Sequence, residues 1–128
     1  MVPEMIEVRK GDFSADEIVA GMKKPEIGAI VVYVGTVRSF SAGKQIESLE
    51  FAVDDEAISQ RLEEIEKTAR DNFAIDDNVI VHRVGTLRVS DNILLIAVSA
   101  AHREPAFNTC GYIIDNIKIA HALWRKEK

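Results

Sequence analysis

Lys118 is the residue in this chain whose position asks most insistently for a chemical reason. A helix read over about Glu104 to Ala120 puts Phe107, Cys110, Gly111, Ile114, Ile117 and Lys118 on one face at ~100° per residue, with the lysine near its centre. An ammonium on an apolar meridian either snorkels past the helix end or faces a polar pocket built into the core. The second case could do acid–base chemistry. Arg38 follows an apolar strand through Gly35-Thr36-Val37, where a rigid sheet can present a guanidinium to a ligand. From position alone an ordinary surface arginine is the simpler account. His102-Arg103 stands between a strand and a helix N-terminus, where free backbone N–H groups and the helix dipole favour an anion. Brought together, Arg38, His102, Arg103 and Lys118 would form a compact cationic site for a phosphate or carboxylate.

Other reactive side chains read as structural. His82-Arg83 ends a strand before Gly85, so one of the pair packs inward and the other faces solvent. Cys110 shares the apolar helix face, where an inert buried thiol is expected. The acidic pairs Glu63-Glu64 and Asp76-Asp77 fall on a helix surface and in a turn, and neither has the second element that a catalytic dyad needs. There is no glycine-rich phosphate loop, no metal-ligand spacing and no Ser-His-Asp order.

The elements that must position these residues follow from periodicity and punctuation. Met5 to Val8 reads as a first strand, and Ser14 with Glu17 has capping-box spacing for a helix to about Lys23. Ala29 to Val34 is a continuous β-branched and aromatic run, expected to be a central strand covered on both faces and ended by Gly35. Ser39 to Lys44 is expected to be a mobile loop. Leu49, Phe51 and Val53 alternate as in a half-exposed strand. Asp54 or Asp55 caps a helix with an Ile58, Leu62, Ile65, Ala69 stripe, and Glu63, Glu64, Glu66, Lys67 and Arg70 are expected on its solvated flanks. Val79 to Val84 and Ile93 to Val98 are further strands, and Pro105 suits the first turn of the helix that carries Lys118. The order is β-α-β-β-α-β-β-α followed by a short strand or tail, which defines an α+β class.

Composition sets the bounds. At 128 residues, 47% hydrophobic and 29% charged, the chain is expected to form one domain over residues 1–128. A net charge of −5 argues against non-specific nucleic-acid binding. The single cysteine allows no intramolecular disulfide and no structural zinc site of the Cys/His kind, and fits a reducing cytoplasm. Met1 to Glu4 has no leader-like pattern, and no apolar run approaches the ~20 residues of a membrane span.

In order and spacing, three blocks resemble the MoaE family, the large subunit of molybdopterin synthase. They are Gly28 to Arg38, His82 to Leu87, and Ser99 to Arg103 continued by Ala106-Phe107, Asp115, Lys118 and Trp124. The resemblance spans about Gly28 to Glu127. It implies an α/β hammerhead fold with an added antiparallel β subdomain, and a homodimer at the centre of a heterotetramer whose ends bind a small ubiquitin-like sulfur carrier. The carrier's C-terminal Gly-Gly thiocarboxylate would enter a pocket and supply sulfur to cyclic pyranopterin monophosphate, giving the dithiolene of molybdopterin. No permanently bound cofactor and no metal are implied. Lys118 matches the family's essential lysine, while Arg38, His102 and Arg103 match positions lining the pocket. The family's second lysine directly follows the tryptophan; here that place is Arg125, with Lys126 next, and both stand as catalytic candidates. Arginine keeps the charge but does not readily lose a proton near neutrality. Ala122 stands where the family usually has proline, the segment Leu49 to Val53 is poorer in tyrosine, and the end at Lys128 is shorter than the tail that helps complete the neighbouring subunit's pocket in relatives. The alternative to an enzyme is a carrier-docking or anion-binding module with the same fold.

Overall fold

The structure, a computed structural model, describes residues 6–51 and 53–127. Its main sheet has four strands in the order β1-β6-β8-β2: β1 (Ile6–Arg9), β6 (Asp77–Arg83), β8 (Asn92–Ala100) and β2 (Ala29–Thr36). Only β1 and β6 run parallel; the β6–β8 and β8–β2 pairs are antiparallel. Alternation along the inner strands separates two apolar faces. Val79, Val81, Leu95 and Ala97 pack with Ile18 and Met22 of α1 (Ala15–Met22). Ile80, Leu94, Ile96 and Val98 join the larger core, which takes in Ile58, Leu62, Ile65 and Ala69 of α2 (Asp55–Asn72) and Ala106, Cys110, Ile113 and Ile117 of α3 (Arg103–Trp124).

Both shorter helices begin as the sequence requires. Ser14 Oγ accepts from the Glu17 N–H at 3.2 Å, and Asp54 Oδ1 accepts from the Ala57 N–H at 2.8 Å. Each satisfies a donor that the first turn would leave unpaired. Beside the main sheet lies a three-stranded antiparallel sheet, β7 (Thr86–Arg88), β5 (Ser48–Phe51) and β9 (Arg125–Glu127), in the order β7-β5-β9. It is the added antiparallel part that the resemblance implied.

Several expectations are corrected. The run Ala29 to Val34 is an edge strand, and Val32 and Val34 stay 37% and 39% exposed. Its apolar residues alternate between the face under α3, with Val31 and Tyr33, and a second face on which Ile30 packs against the smaller cluster while Val32 and Val34 stay open. The strand does not stop at Gly35; it continues to Thr36 with a register shift at Gly35/Thr36. Residues expected as a loop form a ribbon, β3 (Phe40–Ser41) with β4 (Lys44–Gln45), turned by Ala42 and Gly43 at positive φ. Glu66 is buried and paired with Arg70, not solvated. The first strand is Ile6–Arg9, and Met5, its expected start, lies outside the described residues.

Helix α3 runs beyond Ala120 to Trp124. Its packed face is centred on Ala106, Cys110, Ile113, Ile117 and Ala120, so Phe107 is left 62% exposed and Lys118 exposed at the flank. The expected face was therefore out of phase, although Cys110 and Ile117 belong to both versions.

Candidate active site

A cavity of about 210 Å³ opens between β2, α3 and the start of β9. Its lining includes Tyr33, Thr36, Arg38, Lys118, His121 and Arg125. Three cations reach it, from the connection after β2, from α3 and from β9, and among the described residues no carboxylate lines it.

Each cation is placed by a local device. The register shift after Gly35 releases Val37 from the ladder. Val37 is then buried, its N–H donating to the Asp91 carbonyl at 2.9 Å and its carbonyl accepting from the Ser90 N–H at 2.7 Å. That anchored residue leaves Arg38 exposed at the cavity. Lys118 stands one position after Ile117, which is 1% exposed; a step of ~100° carries it from the core to the rim. Arg125 caps α3 through its backbone N–H to the His121 carbonyl and opens β9, opposite Phe51. Strand alternation then decides between the two candidate cations after Trp124. Arg125 lines the cavity, whereas the exposed Lys126, opposite Glu50, does not.

His102 and Arg103 do not join this group within the chain. His102 is the N-cap of α3 with no side-chain capping bond, and both residues are exposed. Arg103 and Lys118 lie fifteen residues apart on one helix, a distance of about 22 Å at the α-helical rise.

Sequence reasoning missed His121. It lines the cavity on one side and meets His82 on the other, with Nε2 to Nε2 at 2.8 Å. His82 Nδ1 stands 2.7 Å from the Arg83 carbonyl. A carbonyl only accepts, so Nδ1 of His82 carries the proton and its Nε2 is a bare acceptor. The shared hydrogen therefore belongs to His121 Nε2–H, which donates to His82. Phe51 packs edge-on against His82 at 4.7 Å between ring centroids, and Trp124 stands 6.2 Å from His121. Burial holds both imidazoles neutral. Desolvation lowers His82 to about 4 against a weaker opposing effect of its backbone hydrogen bond. Desolvation first, then His82 and Arg125, lower His121 to about 3. His121 lay one residue past the helix end read from sequence, and its partner is thirty-nine positions upstream. Its four-residue offset from Ile117 was the available signal.

The remaining candidates behave as read. Arg83 donates to the backbone carbonyls of Lys10 and Asn92. Cys110 is buried, and desolvation pushes its thiol up to about 11, far from a usable nucleophile. Among the described residues, no group of three or more His, Cys, Asp or Glu side chains could hold a metal ion.

Fold and cavity together define an α+β protein with a donor-rich, cationic pocket suited to an anionic ligand. Comparison with known proteins gives the family. The model of the MoaE protein family matches residues 8–120. A molybdopterin synthase catalytic subunit from Pyrococcus abyssi is 37% identical over 116 residues, covering 91% of this chain and 78% of the relative. The crystal structure of molybdopterin synthase from Staphylococcus aureus superposes with a TM-score of 0.85 at 28% identity, covering 98% of this chain and 92% of that one. A chain from the complex of subunits 1 and 2 of molybdopterin-converting factor from Helicobacter pylori shares the fold, with a TM-score of 0.70 at 19% identity over 89% of this chain and 77% of that one. This chain belongs to the MoaE family.

Proposed function

We propose that this chain works as the catalytic subunit of a molybdopterin synthase, a sulfurtransferase formed by one domain over residues 1–128. In this reading a small ubiquitin-like carrier inserts a C-terminal Gly-Gly thiocarboxylate into the cavity beside cyclic pyranopterin monophosphate, and two sulfurs are transferred to give molybdopterin. The observation that carries it is the convergence of Arg38, Lys118 and Arg125 on one cavity in a member of the MoaE family. Both reactants are anions, and guanidinium groups bind phosphate and carboxylate through paired hydrogen bonds. Lys118, at the rim, is the proton-transferring group; Arg38 and Arg125 hold the substrate phosphate or the incoming carboxylate. Sulfur arrives on the carrier, so a buried and protonated Cys110 is no obstacle.

His102 and Arg103 cannot share a pocket with Lys118 of their own chain across about 22 Å of helix. They serve as substrate-binding residues in this proposal only when contributed across a homodimer, which is also the proposed centre of a heterotetramer with two carriers. The relatives' name, catalytic subunit, supports a second kind of subunit. Among the described residues no helix is long and apolar enough to cross a membrane, and we propose a cytoplasmic setting.

The experiment is single-turnover conversion of the cyclic pterin phosphate by the purified chain with a thiocarboxylated carrier, read as the fluorescent oxidised pterin. Product is expected. Carrier binding without product would replace the enzyme reading by a docking module, and failure of both would remove the proposal.

A further inference from the structure

The charged side chains of the cavity, Arg38, Lys118 and Arg125, are hydrogen-bond donors without an acceptor to offer. Tyr33 and Thr36 carry hydroxyls that serve either way. His121 differs from all of them. Its Nε2–H is committed to His82 at 2.8 Å, so the lone pair must sit on Nδ1, which has no protein partner among the described residues. Yet Nδ1 is not sealed: the sealed, unpartnered side-chain polar atoms among the described residues are Oδ1 and Nδ2 of Asn78 and Nε of Arg125. The open side of the ring therefore belongs to the cavity that His121 lines.

We infer that His121 is a specificity-determining residue, a fixed hydrogen-bond acceptor that selects anions carrying a heterocyclic N–H or O–H donor over plain anions. The inference rests on the anion-pocket reading above and adds how that pocket tells a phosphorylated heterocycle from any other phosphate. His82 fixes the tautomer, because its own Nδ1–H is held by the Arg83 carbonyl at 2.7 Å and leaves only an acceptor facing His121. The surroundings keep the ring neutral. It is packed by His82 from β6 and Phe51 from β5, with Arg125 beside it and Lys118 and Arg38 on the same cavity. Protonating it would add a fourth positive charge to that group, and its pKa, lowered to about 3, agrees. A ligand donor then finds an acceptor already oriented, while the cations take the phosphate. A plain phosphate uses the cations alone.

The test titrates the full chain with two probes, a hydroxymethylpterin monophosphate and glycerol phosphate, by calorimetry. The native protein is expected to prefer the pterin probe. His121→Phe, which keeps a flat ring and removes the acceptor, should weaken the pterin probe about five- to tenfold, as expected for one hydrogen bond, and leave glycerol phosphate within about twofold. His121→Gln, whose amide oxygen accepts, should recover part of the preference. An unchanged affinity ratio in His121→Phe overturns the inference, and so does an equal loss for both probes, which marks a packing role. A native protein that binds glycerol phosphate without favouring the pterin also overturns it while sparing the anion pocket; binding of neither probe removes the pocket reading itself. Ring-nitrogen NMR on the native protein gives the same answer without a variant. The His121 Nδ1 resonance should be that of an unprotonated nitrogen and move with the pterin probe only; a protonated Nδ1, or no movement, refutes the proposal.

Discussion

Acidification is expected to destabilise this protein through two side chains, His82 and His121. In the folded state burial lowers them to about 4 and about 3, against an ordinary value of 6.5. The unfolded chain therefore binds protons first. Well above pH 6.5 both histidines are neutral in either state and their stabilising effect is complete; as pH falls through 6.5, the unfolded state gains protons that the folded state refuses. Each such proton changes stability by about 1.4 kcal/mol per pH unit. Integrated from pH 7 to pH 5, that is about 2 kcal/mol per histidine and about 4 for the pair, a large part of the ~5–15 kcal/mol of a typical domain. Ordinary carboxylates stay mostly ionised over this window and contribute little. The assay is urea unfolding at pH 7, 6 and 5, followed by the fluorescence of Trp124, the one tryptophan, whose ring lies 6.1 Å from His82. His121→Phe removes one titrating group and should shrink the pH dependence to about half. A native protein that loses under about 1 kcal/mol between pH 7 and 5 would mean that the pair ionises while folded, and the buried-neutral argument would fail.

Substitutions at four positions test the placement of other residues. Lys118 is exposed, so Lys118→Ala should change unfolding free energy by no more than about 0.5 kcal/mol while slowing single-turnover product formation by about 10²–10⁴; Lys118→Arg, which keeps the charge but does not readily release a proton, should be nearly as slow, and native rates in either variant would refute its role. Arg125→Ala should weaken a phosphorylated pterin by roughly one to two decades, the loss of one charge-assisted hydrogen bond. Lys126→Ala should have almost no effect by the same calorimetry, and the opposite ranking would show that the alternation of β9 had been misassigned. A Cβ on Gly28 would lie 2.3 Å from the Ala101 carbonyl oxygen, so Gly28→Ala should cost about 1–3 kcal/mol by urea unfolding, and an unchanged midpoint would show that the β2–β8 end yields freely.

What could be read from sequence follows from how local each signal is. The caps at Ser14 and Asp54 and the stripe of α2 depend on residues within a few positions of one another, and they stand where the spacing puts them. The edge position of β2 could not be read, because a run of apolar residues looks the same whether its second face meets a helix or stays open, as at Val32 and Val34. β7 has three residues and exists through its pairing with β5, a relation that no short window contains. The phase of α3 was misread for a related reason. Phe107 is large and apolar, yet the helix turns it outward and buries small Ala106 against the sheet instead. Arg38, Lys118 and Arg125 were all nominated, but their meeting depends on a register shift, a helix flank and a strand alternation that are settled only when three elements pack.

The cavity's electrostatics tie these placements together. A chain of net charge −5 gathers three cations around one cavity whose lining, among the described residues, has no carboxylate. Like charges in a concave site repel, and an arriving anion offsets that repulsion, so the arrangement favours an anionic ligand even though Arg125 also meets Glu127 Oε2 at 3.8 Å. His121 responds to the same field. Its proton is opposed by burial first, then by His82 and the positive charge of Arg125, and an anion bound among the cations weakens only the last of these. By linkage, anion binding and protonation of His121 must then promote each other. At neutral pH the ring is an acceptor and complements the cations beside it.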